Sequence, residues 1–285
     1  MKQIVVISGK GGTGKTVITG ALASLAKNHV MVDCDVDASD LHLILNPTVK
    51  ETHIFKSGKT AKIDQKKCIQ CGQCIDLCRF DAIGDDFVVD LISCEGCGFC
   101  SHICPESAIN MCENVTGEYY ISDTRFSPMV HAKLGVGEEN SGKLVSKVRE
   151  KAKEIAQKEK RDLIIIDGVP GIGCPVIACM GGVDCALVVT EPSISGLHDA
   201  KRVIDVAKHF KVPVKLIINK YDLNVNMTRE IEEYCEKENM DIIGKIEFDK
   251  TIVEAVVNGK TIIEYNRDEK NIREILCKFL EEIRK

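Results

Sequence analysis

Short β-branched apolar runs alternate with stretches of helical periodicity along most of the chain, the pattern expected of βαβ units around a parallel sheet. Runs at residues 3–7, 30–33, 163–167, 185–190, 214–219 and 242–246 predict strands, and residues 119–121 and 129–134 are two further candidates. Helices are predicted over residues 15–27, 196–210, 228–239, 250–258 and 270–283. Between residues 143 and 161, Leu144, Val148, Ala152 and Ile155 recur at helical spacing, while the mixed basic and acidic residues among them form a solvated face. The pattern predicts an α/β fold with a doubly wound, mostly parallel sheet.

One stretch has a different grammar. Residues 62–112 are cysteine-rich and loop-like, with a 26-residue internal repeat whose halves occupy 68–83 and 94–109. The halves end in matching phrases, Cys78-Arg-Phe-Asp-Ala-Ile and Cys104-Pro-Glu-Ser-Ala-Ile. The predicted organisation is a discontinuous domain over 1–61 and 113–285, interrupted by an inserted domain over 62–112.

Composition narrows the class. The 285 residues carry a net charge of −5, with 44% hydrophobic and 28% charged residues, which excludes disordered and collagen-like chains. No apolar run approaches the roughly 20 residues of a membrane-spanning helix. The first residues lack the apolar core of a secretory signal, so the expected location is the cytoplasm, without membrane insertion. Residues 271–285 mix charges and lack the basic amphipathic face of a surface anchor. With no Lys/Arg stripe, nucleic acid is not an expected partner. The 15 cysteines are too many to be incidental, and a compartment that keeps thiols reduced does not use them as disulfides.

The strand at 3–7 runs into Ser8-Gly9-Lys10-Gly11-Gly12-Thr13-Gly14-Lys15-Thr16 and then a helix, the order that a Walker A phosphate loop requires. Its glycines let backbone N–H groups wrap phosphates, and the helix N-terminus adds its dipole. Lys15 is expected at the β/γ-phosphates and the Thr16 hydroxyl on Mg²⁺. Residues 163–167, Leu-Ile-Ile-Ile-Asp, form a buried strand ending in an acid, and Asp167 is expected to hold Mg²⁺ through water. Asn219-Lys220-Tyr221-Asp222 follows another strand and matches the Asn-Lys-x-Asp base-reading motif of GTPases.

With Lys10 inside the loop, Gly9 to Thr16 resembles the deviant Walker A of the MinD/Mrp/nitrogenase iron protein class. That resemblance implies a nucleotide-sandwich dimer, either a homodimer or a heterodimer with a paralogue, in which Lys10 reaches the partner's nucleotide. It also implies ATP as the nucleotide, with the Asn219 amide at adenine. Asp35 would orient the attacking water, Asp40 would touch Mg²⁺ or its water, and residues 168–173 would form a second switch. Asp37 reads as a solvated turn acid.

Cys68-x₂-Cys71-x₂-Cys74-x₃-Cys78 and Cys94-x₂-Cys97-x₂-Cys100-x₃-Cys104-Pro105 are two copies of the bacterial ferredoxin run, in which the fourth cysteine ligates the other cluster. Cluster one is expected on Cys68, Cys71, Cys74 and Cys104, and cluster two on Cys94, Cys97, Cys100 and Cys78, both [4Fe-4S]. A small bacterial-ferredoxin-like α+β insert follows. Zinc sites use paired CxxC knuckles across a longer loop, a different spacing. Arg79 stands where the second run has Pro105, which leaves the ligand set intact. Cys174 falls where the nitrogenase iron protein places a ligand of its subunit-bridging cluster, but the second such position, after Gly135-Val136-Gly137, is Glu138, so the expectation there is a buried or dimer-face thiol. Cys34, Cys179, Cys185 and Cys235 read as packing residues, and Cys112 is surplus to both quartets. No histidine pair or Ser/His/Asp arrangement is legible.

Taken together, the chain resembles MinD-superfamily ATPases with an inserted 2[4Fe-4S] ferredoxin domain. The resemblance implies a Mg²⁺-dependent ATPase, slow or partner-stimulated, whose nucleotide state gates electron transfer to a redox partner. Two alternatives stand beside it: a carrier or maturation factor that delivers clusters or metal to client proteins, and an ATP-dependent scaffold with structural clusters.

Overall fold

A computed structural model of the chain describes residues 1–36, 39–135 and 141–285. Asp37 and the residues 136–138 singled out above lie outside the described residues. Two compact units divide the chain: Met1–His53, Tyr119–Lys133 and Ser141–Lys285 make the first, Ile54–Glu118 and Leu134–Asn140 the second.

The strands are β1 (Lys2–Ile7), β2 (His29–Asp33), β3 (Thr48–Ile63), β4 (Ile109–Asp123), β5 (Pro128–Leu134), β6 (Leu163–Asp167), β7 (Cys185–Thr190), β8 (Val214–Asn219) and β9 (Asp241–Ile246). The helices are α1 (Lys15–Leu25), α2 (Leu41–Leu45), α3 (Gln73–Asp76), α4 (Phe99–Ile103), α5 (Ser141–Lys158), α6 (Cys174–Met180), α7 (Ile194–His209), α8 (Val225–Lys237), α9 (Lys250–Val257), α10 (Ile262–Tyr265) and α11 (Asn271–Arg284).

In the first unit the strands run in the order β5-β2-β6-β1-β7-β8-β9, every neighbouring pair parallel. The near-continuous apolar runs of β1, β2, β6 and β7 follow from burial on both faces. Alternate residues serve opposite faces. Ile4, Val6, Met31, Leu163, Ile165 and Leu187 join one core with side chains of α1, α2, α10 and α11. α5 packs on β2 and against α6; of its predicted stripe Leu144, Val148 and Ala152 are fully buried and Ile155 is half-buried. From β1 the chain crosses to β2 on one side, and from β6 to β7 on β1's other side. The carboxyl end of β1 therefore lies at a topological switch point, where α/β sheets bind ligands.

Two strands depart from the sequence reading. β4 is 15 residues long where only 119–121 were predicted, and β3 was not predicted at all. β3 ends the strand row, and its first nine residues are exposed or half-exposed on both faces. It therefore carries Lys50, Lys56 and Lys59 without the apolar alternation that marks a half-buried strand, as an edge strand does. α8 begins at Val225, three residues before the predicted start, because the Asn224 side chain caps it through the Met227 N–H.

The second unit includes the 62–112 stretch and carries its repeat in the backbone. Gly72 and Gly98, 26 residues apart, start α3 and α4 with left-handed φ of 80° and 76°. Gln70 and Gly96 (55° and 62°), and Asp81 and Ser107 (both 48°), repeat the same conformations at the same offset. Gly96 has no freedom to be otherwise, since a Cβ there would stand 1.9 Å from the Lys59 carbonyl oxygen. Ala61, Ile63, Ile83 and Ile109 form a small core with the cysteines packed against it. Among the described residues no helix is long and apolar enough to cross a membrane.

Candidate functional site

The loop after β1 is seated by its glycines. Gly12 and Gly14 adopt φ of 80° and 94°. A Cβ on Gly14 would lie 2.3 Å from Asn219 Nδ2, and one on Gly9 2.3 Å from the Asp199 carbonyl carbon in α7. Asn219 Nδ2 donates to Thr13 O at 2.8 Å while Asn219 Oδ1 accepts the Lys220 N–H at 3.1 Å, so both arms of the amide are engaged within the chain. Lys220 Nζ donates to Gly12 O at 2.9 Å. Asp222 Oδ1 accepts the Phe248 N–H at 2.7 Å.

At the start of α1, Lys15 and Thr16 converge on Asp167 at the end of β6. Lys15 Nζ stands 2.9 Å from Asp167 Oδ1 in a buried ion pair. The Thr16 hydroxyl donates to Asp167 Oδ2 at 3.0 Å, and the Thr19 hydroxyl to Asp167 Oδ1 at 2.7 Å. Burial alone would lower the Lys15 pKa, but the carboxylates of Asp167, Asp33 and Asp35 hold it above the ordinary lysine value.

Asp33, at the end of β2, completes this group. It accepts the Ser39 hydroxyl at 2.6 Å and the Asp35 N–H at 3.0 Å. Its pKa is raised to about 7 by burial and then by the neighbouring Asp167 charge, partly offset by Ser39 and Lys15. Two carboxylates and a threonine hydroxyl thus meet beside the phosphate loop, a set of oxygen donors suited to a hard divalent cation. Asp35 is half-buried and close enough for its charge to act on Lys15. Asp40 is exposed at the start of α2, and no hydrogen bond or ion pair links it to Thr16 or Asp167. Lys10 turns towards its own chain, donating to Ser195 Oγ at 2.9 Å and Ser193 Oγ at 3.1 Å.

In the second unit the repeat cysteines line two cavities. One of about 540 Å³ is lined by Cys78, Cys94, Cys97 and Cys100, with Cys74 and Phe80 also on its wall. The other, about 20 Å³, is lined by Cys68, Cys71, Cys74 and Cys104. The Ala108 N–H donates to Cys104 Sγ at 3.3 Å. Burial pushes the Cys74 thiol up, and the charges of Cys68, Cys71 and Cys104 push it further; Cys100 is raised by burial and by Cys94, Cys97 and Cys74. Of the remaining thiols, Cys34 and Cys179 are buried against each other, whereas Cys112 and Cys174 are exposed.

Residues 4–262 match the CobQ/CobB/MinD/ParA nucleotide binding domain. The chain belongs to that family. An uncharacterized protein of Methanocaldococcus jannaschii is 37% identical over 225 residues, 78% of this chain and 79% of its own length. The septum site-determining protein MinD of Pyrococcus horikoshii, solved with Mg-ADP, shares the fold at a TM-score of 0.59 and 21% identity, over 99% of this chain and 95% of its own. An uncharacterized ferredoxin of M. jannaschii is 37% identical over 54 residues, 16% of this chain and 70% of the ferredoxin.

As a MinD/ParA-type P-loop ATPase, the chain binds nucleotide, and three polar groups at its phosphate loop were not singled out from sequence. Asp33 had the same signal as Asp167, an apolar run ending in an acid. Thr19 lies one helical turn beyond Lys15 and bonds the Lys15 carbonyl at 3.0 Å as well as Asp167. Glu191 follows β7 and bonds Lys10, a pairing across 181 residues that no local pattern announces.

Proposed function

We propose that this MinD/ParA-type ATPase carries two [4Fe-4S] clusters in a ferredoxin-like insert and uses nucleotide binding and hydrolysis to gate electron transfer to a redox partner. The observation that carries the proposal is the distribution of the repeat cysteines over two cavities: Cys68, Cys71 and Cys104 line only one, Cys78, Cys94, Cys97 and Cys100 line only the other, and Cys74 stands on the wall of both. A tetrahedral zinc needs thiolates about 2.3 Å from one point. Among the described residues no three potential ligands converge in that way. Iron–sulfur clusters instead spread their thiolates around a larger body, for which the cavity of about 540 Å³ has room, whereas the one of about 20 Å³ would have to open on loading.

The donor chemistry fits. Burial, and then the charges of neighbouring cysteines, raise the Cys74 and Cys100 thiols, and bound iron would offset both by holding the sulfurs as thiolates. The Ala108 N–H at Cys104 supplies a backbone hydrogen bond of the kind that tunes a cluster's potential. Bound there, the clusters would supply one-electron carriers.

At the phosphate loop the buried Lys15–Asp167 pair serves as a placeholder. MgATP would bring a counter-charge for each member: Lys15 would hold the β/γ-phosphates, and Asp167 with Thr16 would hold Mg²⁺. Neither charge is left buried and alone, which would otherwise be costly. Asp35 orients the attacking water, and Lys10 of a second copy, or of a paralogue, stabilises the γ-phosphate across a dimer face.

The test is an anaerobic EPR-monitored redox titration of the iron-loaded protein without nucleotide, with MgADP and with a non-hydrolysable ATP analogue. Gating predicts nucleotide-dependent potentials, and a shift of about 59 mV would be a tenfold change for a one-electron couple. Unmoved potentials with intact clusters and proven nucleotide binding would favour the carrier or scaffold readings instead.

A further inference from the structure

We infer that Glu191 is a positioning residue of the nucleotide site: it holds Lys10 and Lys220 against the phosphate loop in the nucleotide-free protein and gives up Lys10 when a triphosphate arrives. The inference rests on the reading of residues 8–16 as the phosphate site.

Glu191 leaves the carboxyl end of β7, the parallel neighbour of β1. Its Oε1 lies 2.7 Å from Lys10 Nζ and its Oε2 3.1 Å from Lys220 Nζ, so one carboxylate spans both ammonium groups. Lys220 in turn donates to Gly12 O at 2.9 Å. The bridge is therefore tied into the loop at two points, at Lys10 itself and at Gly12. Gly196 allows the first turn of α7 to close over it, because a Cβ there would sit 2.3 Å from the Glu191 carbonyl oxygen. That turn presents Ser193 and Ser195 to Lys10.

Donor arithmetic makes this a held state. An ammonium has three N–H donors and no acceptor. Lys10 faces three acceptors at hydrogen-bond distance, Glu191 at 2.7 Å, Ser195 at 2.9 Å and Ser193 at 3.1 Å. Its donors are spent within its own chain, and only Glu191 among the three acceptors is charged. Burial would raise the Glu191 pKa, yet the hydrogen bonds from Lys10 and Lys220 hold it below the ordinary glutamate value, so the carboxylate is charged throughout the neutral range.

Phosphates entering the loop compete with this single carboxylate for both lysines and repel it at the same time. Lys220 keeps its bond to Gly12 O, while Lys10 has no backbone anchor among the described residues. The lysine that comes free is Lys10, the one whose position distinguishes this loop from an ordinary Walker A.

The test compares wild type, Glu191→Gln and Glu191→Asp without nucleotide, reading the acetylation rate of each lysine by peptide mass spectrometry with a small water-soluble N-hydroxysuccinimide ester. Lys10 should react about two- to fivefold faster in E191Q, the range expected on freeing a partly exposed ion pair. The exposed Lys27 is the unchanged internal control. E191D, which keeps the charge one methylene short, should lie between. Equal Lys10 rates in wild type and a folded E191Q overturn the inference; if E191Q does not fold, equal rates in wild type and E191D do so.

A second readout is the affinity for a non-hydrolysable ATP analogue in a cycle with Lys10→Ala. The E191Q effect should shrink in the K10A background, where only the Lys220 link and the carboxylate's repulsion of phosphate remain, and an undiminished effect there would mean a general charge effect with no positioning through Lys10. Failure of the wild type to bind nucleotide would sink the phosphate-site reading, while the acetylation rates would still decide whether Glu191 holds Lys10.

Discussion

Asp33 and Asp167 stand opposite each other as Cα partners on the neighbouring parallel strands β2 and β6, both almost fully buried. Two acids end adjacent strands at the same level, and among the described residues only Asp167 forms an ion pair with a lysine. Burial, and then the charge of Asp167, raises the Asp33 pKa to about 7, so Asp33 keeps its proton to near neutral pH.

The sign of the pH dependence follows. Because the folded-state pKa of Asp33 lies above its unfolded value, stability is lost as pH rises from about 4 through 7, on the order of a few kcal/mol at most. Asp33→Asn should remove this loss. Urea unfolding without nucleotide or Mg²⁺ should show a stability difference, variant minus wild type, that grows over that range and levels off above it. A difference that stays flat with pH would mean that Asp33 is ionised throughout.

The site was half legible in the sequence, and the missing half has a physical reason. Gly9 to Thr16 and residues 163–167 announce themselves because consecutive residues must make the turn and the buried strand. The Asp33–Asp167 pairing arises from sheet register, which brings together residues 134 positions apart, and Glu191 meets Lys10 only because β7 lies beside β1. The same contrast governs the fold. The doubly buried strands were readable as apolar runs, whereas β3, exposed or half-exposed on both faces in its first half, carried no periodic signal. The short α6 also escaped: it begins Cys174-Pro175, and only its Val176, Cys179 and Met180 are buried, too brief a run to establish a period.

His29 titrates in the opposite direction. Buried at the start of β2, its pKa is lowered to about 4, chiefly by burial and then by the charges of Arg161 and Arg284. The unfolded chain takes up the proton first as pH falls. Stability should therefore drop between about pH 6.5 and 4, by about 3 kcal/mol if this histidine acts alone. His29→Leu should abolish that component, seen as a thermal midpoint less sensitive to pH than the wild type's over this interval. Parallel curves for the two proteins would show that His29 has an ordinary pKa.

Gly14→Ala should disable the phosphate loop while leaving the sheet folded. The substitution places a Cβ 2.3 Å from Asn219 Nδ2 at a φ of 94° that L-residues rarely adopt. Relief requires Asn219 to withdraw from Thr13 O, which unties the loop from β8. A fluorescent ATP analogue should bind at least about tenfold more weakly, equivalent to about 1.4 kcal/mol, with far-ultraviolet circular dichroism unchanged. Wild-type affinity would show that the Asn219 tie is dispensable.

The cysteine quartets make an exchange prediction, because the fourth ligand of each proposed cluster comes from the other half of the repeat. Cys78 lies between α3 and the bridge at Ile83, in the first half, yet it lines the cavity of Cys94, Cys97 and Cys100; Cys104 follows α4 in the second half, yet lines that of Cys68, Cys71 and Cys74. Cys78→Ala should lose iron from the Cys94 site and Cys104→Ala from the Cys68 site, each leaving about half the wild-type iron. Iron content reads the loss. Combining each variant with Cys97→Ala then assigns it: adding C97A to C78A should remove little more, whereas adding it to C104A should strip nearly all the remaining iron. The reverse pattern would mean that each run ligates its own cluster, contrary to the way the two cavities divide the sulfurs.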